Sequence, residues 1–114
     1  MRIRSSVLTL LLLSSSVFAN DGSGLITVVG FFGEKFTSHP DVVQFEIKGG
    51  FKNTSCNTQF AAVKKSDSHL VSALLAAKMS GNSVQVYLDP ANAYYDNGND
   101  TKRCTTSFLL LNEK

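Results

Sequence analysis

Hydrophobic and polar positions change rhythm several times along this chain, and each change marks an element. The first nineteen residues, MRIRSSVLTLLLLSSSVFA, hold Arg2 and Arg4, then an apolar run over 7–13 broken only by Thr9, then Val17-Phe18-Ala19. A positive segment, a short apolar core and a small-x-Ala site make up a secretory leader. Residues 1–19 are therefore expected to be a signal peptide, and 20–114 one exported domain. The apolar run is too short for a membrane span, which needs about 20 residues. The expected location is secreted or periplasmic.

After a polar, Gly-rich lead-in (NDGSG), residues 25–32 (LITVVGFF) are β-branched and aromatic, which predicts a strand with a bulge or bend at Gly30. Residues 33–41 (GEKFTSHPD) read as a loop. In 42–48 (VVQFEIK), Val43, Phe45 and Ile47 alternate with Gln44, Glu46 and Lys48, the pattern of a half-buried strand. Gly49-Gly50 marks a turn, and residues 58–64 predict a third strand. The period then shifts. Leu70, Leu74, Ala77 and Leu75, Met79 recur at helical spacing, behind a Ser66-Asp67 cap and ahead of Gly81-Asn82, so a helix is predicted over 67–80. Alternation returns in 83–88 (SVQVYL), a fourth strand. Residues 89–103 predict a long loop, and 105–112 a fifth strand whose 108–111 run implies burial on both faces.

These elements make an all-β domain with one helix, in the order β-β-β-α-β-β. A five-stranded OB-like Greek-key barrel has that order. A ferredoxin-like sheet would need a second helix between the first two strands, and GEKFTSHPD is too short and too marked by Pro and Gly to form one.

Charge and cysteine content narrow the chemistry. The formal charge of +2 comes from eleven basic and nine acidic residues. Two of the basic residues lie in the leader, which leaves nine of each sign. A neutral domain lacks the electrostatic footprint of a phosphate-backbone binder, so no nucleic-acid partner is expected. Lys64-Lys65 and Lys102-Arg103 read as solvated surface. Cys56 and Cys104, an even pair in an exported chain, predict one disulfide. Closing a loop of that length contributes about 4 kcal/mol in the chain-entropy view. His39 and His69 lie far from both cysteines, so no metal is expected there. No membrane insertion is expected either.

OB-type barrels bind through strands two and three and the loops joining strands one to two and four to five. The second of those loops, DPANAYYDNGNDTKR, places Tyr94 and Tyr95 beside Asp96, Asn97, Asn99 and Asp100. Aromatic rings beside amides and carboxylates suit a sugar, and equally a packed turn. Asp96-Asn97-Gly98-Asn99-Asp100 is dense in oxygen ligands, but Gly98 falls at the third position of a calcium loop, where a ligand is needed. No nucleophile-base set, paired carboxylates or phosphate-cradling Gly motif stands out. The chain reads as a non-enzyme without a cofactor.

The stretch LVSALLAAKMSGNSVQVYLDP, together with VVQFEIKGG and RCTTS, resembles the B subunit of subtilase cytotoxin and its relatives. The likeness runs over about residues 23–107. It implies a secreted OB-fold that assembles as a homopentamer, binds sialylated host-surface glycans and carries a catalytic A subunit. By the same resemblance Ser23 would contact the sugar, Asp21 would assist it, and one of Tyr87, Tyr94 or Tyr95 would supply an aromatic contact. The expectation is a glycan-binding toxin B-type subunit. The alternative is a monomeric or dimeric periplasmic protein-binding module, of immunity or inhibitor type.

Overall fold

The computed structural model describes residues 19–32, 42–52, 55–94 and 102–112. Among the described residues, five strands and one helix follow one another as β1 (Gly22–Phe31), β2 (Val42–Ile47), β3 (Ala61–Lys64), α1 (Ser68–Ser80), β4 (Ser83–Tyr94) and β5 (Arg103–Leu111). The sheet is a closed barrel in the spatial order β1-β2-β3-β5-β4, with β4 returning to β1. Every pairing is antiparallel except β3 with β5.

Period-two alternation fills the barrel. Val43, Phe45 and Ile47 of β2 and Val84, Val86 and Leu88 of β4 point inward. Phe45 lies fully buried and meets Phe51 edge-on, with ring centroids 5.8 Å apart. From α1 only Leu74 and Ala77 are buried, while Leu75 and Met79 face out. Gly81 ends the helix in the left-handed region at φ 75°, its N–H donating to Ala77 O. Asp67 stands at the N-cap position, but its side chain makes no cap bond. Its carbonyl instead accepts from Leu70 N and Val71 N.

The parallel seam between β3 and β5 is short, with Ala62 and Thr105 as its register pair. Side chains reinforce it. Thr106 Oγ1 donates to Ala62 O at 2.9 Å within the core. Cys56 and Cys104 form a disulfide across it, Cα atoms 5.6 Å apart. Asn57 N donates to Lys102 O.

Five expectations change. Strand β1 begins at Gly22, because residues 22–25 pair with 83–86 of β4 instead of forming a loose lead-in. The irregularity in β1 falls between Ile26 and Val28, and Gly30 pairs regularly with Gln44. Strand β4 continues to Tyr94 across a break between Asp89 and Ala93, so the first part of the expected loop is strand. Arg103 is not solvated surface: it is 6% exposed, its guanidinium carbon lies 4.4 Å from the centre of the Phe60 ring, and it donates to Gln44 Oε1. Stacking and hydrogen bonding let a planar guanidinium sit inside where an ammonium would not. The third strand also starts late, at Ala61, because Asn57 Oδ1 accepts from Gln59 N and Phe60 N and holds the preceding residues in a turn.

Candidate functional site

Strand register gathers a set of polar and aromatic side chains on the outer face of β1, β4 and β5. Ser23 stands opposite Gln85, Gln85 opposite Leu110, and Tyr87 opposite Phe108. With Val84, Val86 and Leu88 turned inward, Gln85 and Tyr87 necessarily turn outward. Asp21 joins the end of the Tyr87 row: its N–H donates to Val86 O, its carbonyl accepts from Lys52 N, and its Oδ2 accepts from Leu88 N at 2.6 Å. The carboxylate thus clamps the chain before β1 onto β4, which holds Ser23 in place beside it. Ser23 itself is exposed.

Gln85 is the hub of this face. Its Oε1 accepts from Asn20 Nδ2 at 3.2 Å and from the Tyr87 hydroxyl at 3.5 Å. Its Nε2 donates to Asn112 Oδ1 at 3.0 Å, and Asn112 Nδ2 donates on to Ser83 Oγ at 3.0 Å. The Tyr87 and Phe108 rings lie 5.3 Å apart at 61°.

Of the residues singled out from the sequence, Asp21, Ser23 and Tyr87 therefore meet on one face. Tyr94 does not join them. It ends β4 opposite Arg103, five residues along β5 from Phe108, which at about 3.3 Å per residue is roughly 16 Å from the Tyr87–Phe108 pair, and its hydroxyl is buried. Tyr95, Asp96 and Asn97, like the rest of the 96–100 oxygen cluster, lie outside the described residues. Gln85, Asn20, Asn112 and Phe108 were missed by reading the sequence. The outward phase of the SVQVYL alternation could have pointed to Gln85, but nothing local links it to residues 20 and 112.

Elsewhere, Asp89 organises the break in β4. Asn92 Nδ2 and Ala91 N donate to its carboxylate, each at 3.0 Å. The Asn92 bond, then the Ala91 N–H, hold its pKa below the ordinary 3.8, helped by the charges of Lys64 and Lys102. A cavity of about 200 Å³ is lined by Phe31, Phe32, Val42, Val43, Lys65 and Val71. Among the described residues no three His, Cys, Asp or Glu side chains gather as a metal site. Among them, too, no helix is long and apolar enough to cross a membrane. No family model, curated protein or solved structure matches the chain.

Proposed function

We propose that this chain is an exported, non-enzymatic binding protein on an OB-like barrel, and that it recognises a carbohydrate as a toxin B-type subunit. The single observation that carries the reading is the meeting of Asp21, Ser23 and Tyr87 on one outer face, although the first two lie far from the third in the chain. The closed order β1-β2-β3-β5-β4, with α1 between β3 and β4, supports the OB-like assignment. An exposed hydroxyl beside an aromatic ring and amides suits a shallow sugar site. The ligand by resemblance is a sialylated host-surface glycan. A homopentameric ring would multiply weak sites, gaining about 10²–10⁴ in apparent affinity, and would offer a platform for a catalytic A subunit.

The test is retention of the protein lacking residues 1–19 on an array of sialylated and neutral glycans. Ser23→Ala and Tyr87→Ala should each abolish retention. Loss in Tyr94→Ala/Tyr95→Ala with retention in Tyr87→Ala would move the site to the far end of β4. No retention by the unsubstituted protein would remove the glycan reading.

A second reading, the periplasmic protein-binding module, is favoured by one observation. Leu75 and Met79 lie one turn apart on the outward face of α1, 36% and 87% exposed. Apolar side chains so placed fit a protein partner.

A further inference from the structure

Phe108 belongs to an apolar run and yet stands in solvent, 52% exposed, because Leu109 lies opposite the inward-facing Val86 and takes the inner face. Tyr87 faces Phe108, but the next residue, Leu88, faces Thr106, so Ser107 is supernumerary. Such a bulge re-aims the neighbouring side chains. Here Ser107 and Phe108 both lie exposed, and Ser107 Oγ donates to Tyr87 O at 3.0 Å, fastening the bulge to the strand that carries the other ring. The result is two rings, edge to face, at one end of the chain of hydrogen bonds centred on Gln85.

That chain has one direction. Asn20 and Tyr87 donate to Gln85, Gln85 donates to Asn112, and Asn112 donates to Ser83. Its two ends are complementary: the Tyr87 oxygen keeps lone pairs to accept with, and the Ser83 hydroxyl keeps its proton to donate. The outward rows of β1, β4 and β5 across this patch hold Ser23, Ser83, Gln85, Tyr87 and Phe108, with the Asp21 carboxylate at the end of the Tyr87 row and no cation among them. A ligand with one apolar C–H face and several uncharged hydroxyls matches a ring platform beside a polar row that carries a carboxylate and no cation.

We infer that Phe108 is the stacking platform for an uncharged pyranose ring, and that Gln85 is a positioning residue that holds the Tyr87 hydroxyl toward that ring's hydroxyls. This rests on the carbohydrate reading above and sharpens it. The unit recognised is a neutral sugar of the glycan, not its charged terminus.

The experiment measures binding of lactose, cellobiose, chitobiose and 3′-sialyllactose to the protein lacking residues 1–19. Affinity and the aromatic proton shifts of Tyr87 and Phe108 are followed by NMR. At least one neutral disaccharide should bind and move both ring signals. Phe108→Ala should weaken it about five- to tenfold, the order expected of one aromatic contact, while Phe108→Tyr and Phe31→Ala, an exposed ring at the other end of β1, retain it. Gln85→Leu should weaken binding and shift the Tyr87 ring signals in the free protein, and Gln85→Glu should restore the Tyr87 signals. Binding of 3′-sialyllactose alone, unaffected by Phe108→Ala, would overturn this inference and leave the carbohydrate reading standing. Binding of none of the four would overturn both.

Discussion

A methyl group on Gly24 would sit 2.5 Å from the carbonyl oxygen of Lys48, closer than any side chain tolerates against backbone. The bare glycine lets β1 lie close against the turn after β2 while pairing with β4 beside Ser23. Gly24→Ala should lower stability by about 1–3 kcal/mol, the cost of overpacking, measured by urea denaturation, and should displace Ser23. At Asp89 the argument is electrostatic. A carboxylate whose folded pKa lies below its unfolded value contributes stability that is fully present above the unfolded value, and that is lost as pH falls through the lower, folded one. The Asp89 carboxyl should titrate below 3.8 by carbon NMR, and Asn92→Ala should raise its midpoint toward that value. A native midpoint at or above 3.8 would contradict the assigned bonding. Neither feature is legible from composition. Gly24 reads as part of a flexible lead-in and Asp89 as the start of a loop, because each role depends on a partner in another strand.

The elements differ in how well local pattern reveals them. Strands β2 and β4 show clean alternation, so their inward residues follow from the chain alone, whereas α1 shows a change of period with a glycine stop but buries only Leu74 and Ala77 of its spaced apolar residues. The 108–111 run misleads, because a run of apolar residues implies two buried faces and only Leu109 of it is buried. The pairing with β4 decides that outcome: Leu109 lies opposite the inward Val86, which turns Phe108 and Leu110 outward. The β3–β5 seam is the weak joint, with little backbone ladder and a disulfide across it. Replacing Cys56 and Cys104 together with Ala should cost about 2–5 kcal/mol. In hydrogen exchange of that variant, the amides of the Ala62–Thr105 pairing should open before those of Val84 and Val86, which lie in the longer β4–β5 ladder. Equal protection in both would show that the disulfide is not what holds the seam.

For the molecule as a whole, the described strands close into a barrel in which β1 covers only residues 83–86 of β4 and β3 meets β5 at one register pair, while the exposed apolar side chains lie on faces. The face around Gln85 and the outward turn of α1 are separate surfaces. In the proposed ring, one serves ligand and the other contact between copies. Light scattering after size exclusion should give a mass near five protomers, and Met79→Asp should lower it without unfolding the domain, as read by circular dichroism. A mass of one or two protomers would bring the protein-binding module forward. A sheet-rich domain with one helix, a cysteine pair, and the inward and outward phases of β2 and β4 can be read from the chain, because alternation and helical spacing are written in near neighbours. That Asp21 clamps β4, that Arg103 goes inside, that Tyr94 stands apart from Tyr87 and that Phe108 faces water cannot be read there. Each of those depends on register between strands far apart in the chain, and register is set by how the whole barrel closes.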